Sequence, residues 1–180
     1  VAYGRAFGIA PEDVSKKQRQ IGKVMELAMG YQGGVGAFAT FARGYGVDLS
    51  EMARHVRDSC SADDWRSASQ AFARAGGATD LGADEWTACE VIKRLWRRAH
   101  PAITGFWADA DSAVKQVLAG LTPCASAGRV SFRKCGTYLV ATLPSGRPVC
   151  YPAARLPADM SSGGCAFEYY GQIQATRRWS

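Results

Sequence analysis

The sequence predicts an α+β fold, mainly helical over about residues 1–120 and ending in a small antiparallel β-sheet over about 128–173. Three observations predict it. Apolar residues recur at helical spacing in several capped segments before Leu121, β-prone runs broken by glycine turns follow, and no internal repeat is present. The change in texture divides the chain into a helical region, 1–122, and a β region, 123–180, that is expected to be incomplete at its C-terminal end.

The helical elements follow in order. Ser15 to Gly30 carries Ile21, Val24, Met25 and Ala28 on one face, which predicts burial of that face. The glycine-rich run Gly30 to Gly36 ends this helix, because glycine accepts left-handed backbone angles. A short helix is expected over Ala37–Gly44. Asp48 with Glu51 fits a capping box for a helix to about Asp58, and Asp63–Ala75 is a further amphipathic stretch closed by Gly76-Gly77. Asp84 is the expected cap of a helix with Trp86, Cys89, Ile92, Leu95 and Trp96 inside. Pro101 interrupts it, and a last helix over about Ala102–Leu118 carries Ile103, Phe106, Trp107, Val114 and Leu118.

Beyond Pro123 the expected strands are Arg129–Phe132, Tyr138–Leu143, Arg147–Tyr151 and Cys165–Ile173, with Pro157–Gly164 a polar loop. Lys134-Cys135-Gly136 suits a hairpin turn, and Leu143-Pro144-Ser145-Gly146 a β-turn with proline second and glycine fourth.

Composition narrows the function. The chain has 180 residues, enough for one ordinary domain or two small ones, and too few for a complete template-directed polymerase. Apolar residues make up 47%, which supports a packed core and excludes a disordered chain. Twenty-two bases against 16 acids favour phosphate-rich partners, since guanidinium forks match phosphate oxygens. The cysteines at 60, 89, 124, 135, 150 and 165 have no metal-ligand spacing and read as reduced thiols packed as small apolar groups. No apolar run is long enough to span a membrane, and no secretory signal is visible, so an intracellular, cytoplasmic protein is expected. Val1 stands in place of an initiating methionine, which suggests a start inside a longer reading frame.

Arg19, Lys23, Leu27 and Tyr31 recur every four residues and would line one helix stripe roughly 18 Å long. Two cations at one end can hold a polyphosphate, and an aromatic ring further along can stack on a base. The same spacing also fits a solvated helix face with Tyr31 as a helix-end aromatic. The glycines of 30–36 lack the lysine and Ser/Thr of a phosphate-binding P-loop. His100 has no neighbouring nucleophile or acid and reads as a helix-ending residue; the five tryptophans read mainly as core.

The string Arg19-Gln20-Ile21-Gly22-Lys23 through Gly30-Tyr31-Gln32-Gly33-Gly34-Val35-Gly36-Ala37-Phe38 resembles motif B of family A (DNA polymerase I-like) DNA polymerases, in the phage and prophage branch. Two more stretches follow in the expected order. Trp96-Arg97-Arg98-Ala99-His100-Pro101-Ala102-Ile103 with Phe106-Trp107 resembles the late fingers helix of that branch, and Leu143-Pro144-Ser145-Gly146-Arg147-Pro148 with Tyr151-Pro152 is similar to its Gly-Arg-x-x-Tyr-x-Pro turn.

The resemblance implies a fingers region with part of the palm edge. It assigns incoming-nucleotide binding to Arg19, Lys23 and Tyr31, and DNA contact to Gln32, Gly33 and Arg147. Leu27 stands where many members carry an aromatic ring, and Gln32 where glycine is common. Family chemistry uses two metal ions held by palm aspartates. Neither Asp-Tyr-Ser-x-x-Glu nor His-Asp-Glu occurs here, so no catalytic or metal-binding residue is assigned. The segment is expected to be inactive alone and to bind no cofactor itself. Mg²⁺, a DNA primer–template and dNTP are expected for the complete parent, with no membrane partner. A free-standing, non-catalytic nucleic-acid-binding module and a degenerate prophage remnant are the alternatives.

Overall fold

The computed structural model describes residues 2–75, 80–157, 167–173 and 178–179. It is α+β: seven helices followed by a four-stranded antiparallel sheet among the described residues. The chain divides into two compact units, residues 1–101 and 102–180. The division falls just after the first residue of the last helix.

In the first unit, α1 (Ala2–Phe7), α2 (Lys16–Met29), α3 (Val35–Gly44), α4 (Leu49–Ser59) and α5 (Ala62–Arg74) all pack against α6 (Ala83–Ala99). Hence α6 has the most enclosed side chains, with Val91, Ile92 and Trp96 fully buried. Trp65 and Trp86 are half-buried. Helix α1, unanticipated from sequence, stacks Tyr3 on Phe7 with ring centroids 4.3 Å apart. It lies tight against α2 at Gly22, where an added Cβ would come within 3.2 Å of the Tyr3 nitrogen.

Two caps differ from expectation. Asp48 accepts from the Ser50 and Glu51 N–H groups, but the Glu51 carboxylate turns to Lys17 instead of closing a reciprocal box. Gly82, not Asp84, is the N-cap of α6: the Glu85 carboxylate reaches back to accept from the Gly82 N–H at 3.3 Å, and Asp84 stands in the first turn.

In the second unit, α7 (Pro101–Leu118) has its buried side chains in its later half. Ala113, Val114 and Val117 are buried, while Ile103 and Phe106 are exposed. Proline at the first helical position explains how α7 starts where α6 stops, since its missing N–H has no intrahelical partner there. Strands β1 (Cys124–Ala127), β2 (Val130–Cys135), β3 (Tyr138–Thr142) and β4 (Pro148–Tyr151) form a meander in that order. Cys124–Ala127 was not expected as a strand. It is one because its backbone pairs with β2 through residues 124 to 133 and 127 to 130.

Both two-residue hairpin loops put a left-handed glycine first, Gly128 (φ 52°) and Gly136 (φ 58°), so Lys134 and Cys135 belong to the strand and not to the turn. The Leu143–Gly146 turn closes as read, with the Gly146 N–H donating to the Leu143 oxygen at 2.8 Å. Phe132, Leu139 and Ala141 pack with the buried residues of α7 in one core.

The expected fourth strand, Cys165–Ile173, does not join this sheet. Glu168 forms an isolated bridge with Arg155, and β5 (Gln172–Ile173) pairs with β6 (Arg178–Trp179). Residues 165–166 and nearly all of the expected 157–164 loop lie outside the described residues, as do Gly76-Gly77.

The cysteines correct another expectation. Among the described residues only Cys89 is a cysteine packed in a core; Cys60 is half-buried, and Cys124, Cys135 and Cys150 are exposed thiols. Cys165 lies outside the described residues.

Candidate nucleotide-binding helix

Helix α2 is built to present one face. Ser15 and Gln18 form a reciprocal capping box: the Ser15 hydroxyl accepts from the Gln18 N–H at 3.2 Å, and the Gln18 side chain accepts from the Ser15 N–H at 2.8 Å. Ile21, Val24, Met25, Ala28 and Met29 are buried, which fixes the helix's rotation. Arg19, Lys23 and Leu27 then face outward, with Leu27 37% exposed.

The cations on this helix are not equivalent. Lys17 forms an ion pair with Glu51, whose carboxyl is held below the usual range chiefly by that lysine. Arg19 turns back so that its Nε donates to the Val14 carbonyl at 3.1 Å, which anchors the guanidinium near the helix start. Among the described residues, no carboxylate pairs with Arg19 or Lys23. Two cations one turn apart thus stand on an exposed surface with no carboxylate in salt-bridge contact among the described residues.

Tyr31 does not continue the helix as an element of its stripe. It follows Gly30 in the terminating turn and is 87% exposed. The turn is a Schellman motif: the Gln32 N–H donates to the Met29 oxygen at 2.9 Å and the Gly33 N–H to the Ala28 oxygen at 3.1 Å. The left-handed residue is Gln32, with φ 63°, and not one of the surrounding glycines. Gln32 is exposed and Gly33 half-buried, beside Tyr31. Arg147 is exposed on the turn between β3 and β4, in the second unit.

A network that sequence spacing does not reveal joins α2 to the end of α6 through Glu26, which shares the exposed side of α2 with Arg19 and Lys23. The Trp96 Nε1–H donates to Glu26 Oε1 at 3.4 Å, and the Trp96 and His100 rings stack at 4.2 Å. His100 caps α6, its Nδ1 lying 2.8 Å from the Trp96 carbonyl. A carbonyl only accepts, so Nδ1 carries the proton, and Nε2 can accept from Arg5 at 3.3 Å. Residues 70 positions apart therefore meet, and the same Glu26 oxygen lies 3.9 Å from His100 Nε2.

The other acidic pairs serve the helices. Asp64 hydrogen-bonds Ser61 and Arg98, Asp63 pairs with Arg66, and Asp111 pairs with Lys115. Among the described residues no group of three or more His, Cys, Asp and Glu is placed to hold a metal ion. A cleft of about 580 Å³ opens elsewhere in the first unit, lined by Arg54, Arg57, Trp65, Asp84 and Glu85. Arg57 already lies over the Trp65 ring at 5.1 Å and faces Asp84 at 3.8 Å, so its charge is largely answered internally. No helix among the described residues is long and apolar enough to cross a membrane.

Comparison with curated proteins finds the chain 29% identical over 171 residues to a protein named DNA polymerase from Bacillus phage SP02. The match covers 94% of this chain and 21% of the phage protein, so the chain spans about a fifth of that relative's length. No protein-family model matches. No solved structure matches either. The relationship is to a DNA polymerase, carried by nearly the whole chain.

Proposed function

We propose that this chain is the fingers region, with part of the palm edge, of a family A DNA polymerase, and that α2 is its incoming-nucleotide helix. The observation that carries the reading is the pair of exposed cations, Arg19 and Lys23, on the helix whose sequence resembles motif B. The similarity to a phage DNA polymerase supports the same reading.

Arg19 and Lys23 would hold the triphosphate by charge-assisted hydrogen bonds, with Arg19 kept in place by Val14. Tyr31, beyond the helix end, would stack beside the nascent base pair. Gln32, Gly33 and Arg147 would contact DNA. The parent's Mg²⁺ and the aspartates that hold it would supply electrostatic stabilisation of the phosphoryl-transfer charge. The 180 residues would contribute binding and orientation and no bond-making group.

The test is equilibrium binding of dNTP to the chain. Arg19→Ala and Lys23→Ala should each weaken it by about 1.5–3 kcal/mol, as expected for hydrogen bonds to a charged group. Tyr31→Ala should cost about 1–3 kcal/mol through lost base stacking. Undiminished affinity in both cation variants would reject the nucleotide assignment.

A further inference from the structure

The second unit carries a charge pattern that the nucleotide helix does not use. No Asp or Glu occurs between Asp111 and Asp159, a stretch holding the whole four-stranded sheet. Arg129, Arg133, Lys134 and Arg147 lie within it, and none has a carboxylate partner among the described residues. Lys115 and Arg155, which flank the sheet, are by contrast paired with Asp111 and Glu168.

Sheet geometry sorts the side chains. Residues opposite each other in an antiparallel ladder project to the same face. Ala125, Phe132, Ala141 and Val149 form one cross-strand row and belong to the core with α7. The adjacent row, Cys124, Arg133, Val140 and Cys150, therefore projects from the other face, and all but Val140 are exposed. Hydroxyls from Ser126, Ser131 and Thr142 share that outer face. Arg129 and Arg147 stand on the two turns at one end of the sheet. From Arg129 to Arg133 along β2 is about 13 Å at strand rise, so the cations extend from the turns onto the middle of the face.

We infer that this outer face docks the phosphate backbone of DNA, with Arg133 as its central contact. Unpaired cations and hydroxyl donors on an exposed, acid-free sheet complement a polyanion. The choice of DNA over other polyanions rests on the polymerase reading above.

The face contains its own probes. Cys124, Cys135 and Cys150 all project from it, while Cys60 belongs to the first unit. With the full 180-residue chain and a mixed-sequence DNA duplex, bound DNA should slow alkylation of those three thiols and leave Cys60 unaffected, as read by peptide mapping. Arg133→Ala should lower duplex affinity about fivefold or more and reduce the log–log salt slope by about one. Arg74→Ala, an equal charge change on α5, should do neither.

Unprotected thiols, an unchanged salt slope in Arg133→Ala, or an equal loss in Arg74→Ala would overturn the inference. So would stronger protection by polyglutamate or duplex RNA, or protection that arises from raised protein concentration alone, which would assign the face to a second copy. Loss of the footprint with dNTP binding intact rejects this surface alone. A footprint that persists when dNTP does not bind rejects only the nucleotide helix.

Discussion

A Cβ built on Gly33 would stand 2.2 Å from the Ala28 carbonyl oxygen, the same oxygen that the Gly33 N–H binds at 3.1 Å. The backbone thus folds back on the end of α2 closely enough that a side chain at 33 has no room. This close approach is what sets the turn carrying Tyr31 and Gln32. Gly33→Ala is expected to lower stability by about 1–3 kcal/mol, the range for forced overpacking. Gly36 is the contrasting case: it lies within α3, with nothing within 4 Å of an added Cβ. Gly36→Ala should stabilise by up to about 1 kcal/mol through helix propensity. Urea midpoints of the two variants check both directions, and a Gly33→Ala protein as stable as the parent would refute the contact.

Gln32 adopts a left-handed conformation at the position of the Schellman turn where glycine is usual. An L-residue there costs about 1–2 kcal/mol, partly offset because glycine loses more chain entropy on folding. Gln32→Gly should therefore stabilise the chain by several tenths to about 1 kcal/mol in urea unfolding. If Gln32 touches the template as proposed, the same change should weaken DNA binding while strengthening the fold. A fall in stability would show that the glutamine side chain contributes more to this turn than its backbone angle costs.

This helix end also shows what was legible in the sequence. The rotation of α2 was readable, because Ile21, Val24, Met25 and Ala28 form a local periodic stripe and are buried as that stripe requires. The left-handed residue was not, because the glycines around Gln32 offered an easier site for it. The six residues of α1 make fewer than two helical turns, too short a window for an apolar period to stand out. Strand β1 is Cys-Ala-Ser-Ala and forms through pairing to β2 more than through its own propensity. On α7, Ile103 and Phe106 have helical spacing yet stay exposed, since periodicity identifies an apolar side but not what covers it. The Glu26–Trp96 hydrogen bond depends on tertiary placement, for which spacing along the chain has no signal. For the site, the cations of α2 were legible, while the internal pairing that sets Lys17 apart from Arg19 and Lys23 required the fold.

Asp64 gives the fold a dependence on acid. Its carboxyl is held below the ordinary 3.8, first by the Arg98 hydrogen bond and also by the Ser61 hydroxyl. A carboxyl depressed in the folded state stabilises above its unfolded pKa, and that contribution disappears as pH falls through the folded value. Stability should therefore decline below about pH 4, where unfolded aspartate begins to take up protons. Asp64→Asn should be less stable than the parent at neutral pH, with the difference shrinking as pH falls below 4. Parallel stability curves for the two proteins across that range would remove Asp64 from the account.

Cys89 sets the opposite limit. Burial, helped by the nearby Glu85 charge, pushes its thiol up to about 12, whereas an unfolded thiol ionises near 8.5. The folded state keeps the proton that the unfolded state releases. The neutral thiol's contribution is therefore complete below the unfolded pKa and is lost as pH rises toward the folded one. Between those values one such group steepens the decline by at most about 1.4 kcal/mol per pH unit. Cys89→Ala creates a small cavity, so it should lower stability at pH 7 yet flatten the alkaline decline relative to the parent. At pH 8, alkylation should reach exposed Cys124, Cys135 and Cys150 and spare Cys89 until urea unfolds the chain. An early-labelling Cys89, or an unchanged alkaline slope in Cys89→Ala, would mean that the packing around α6 opens far more readily than its buried side chains imply.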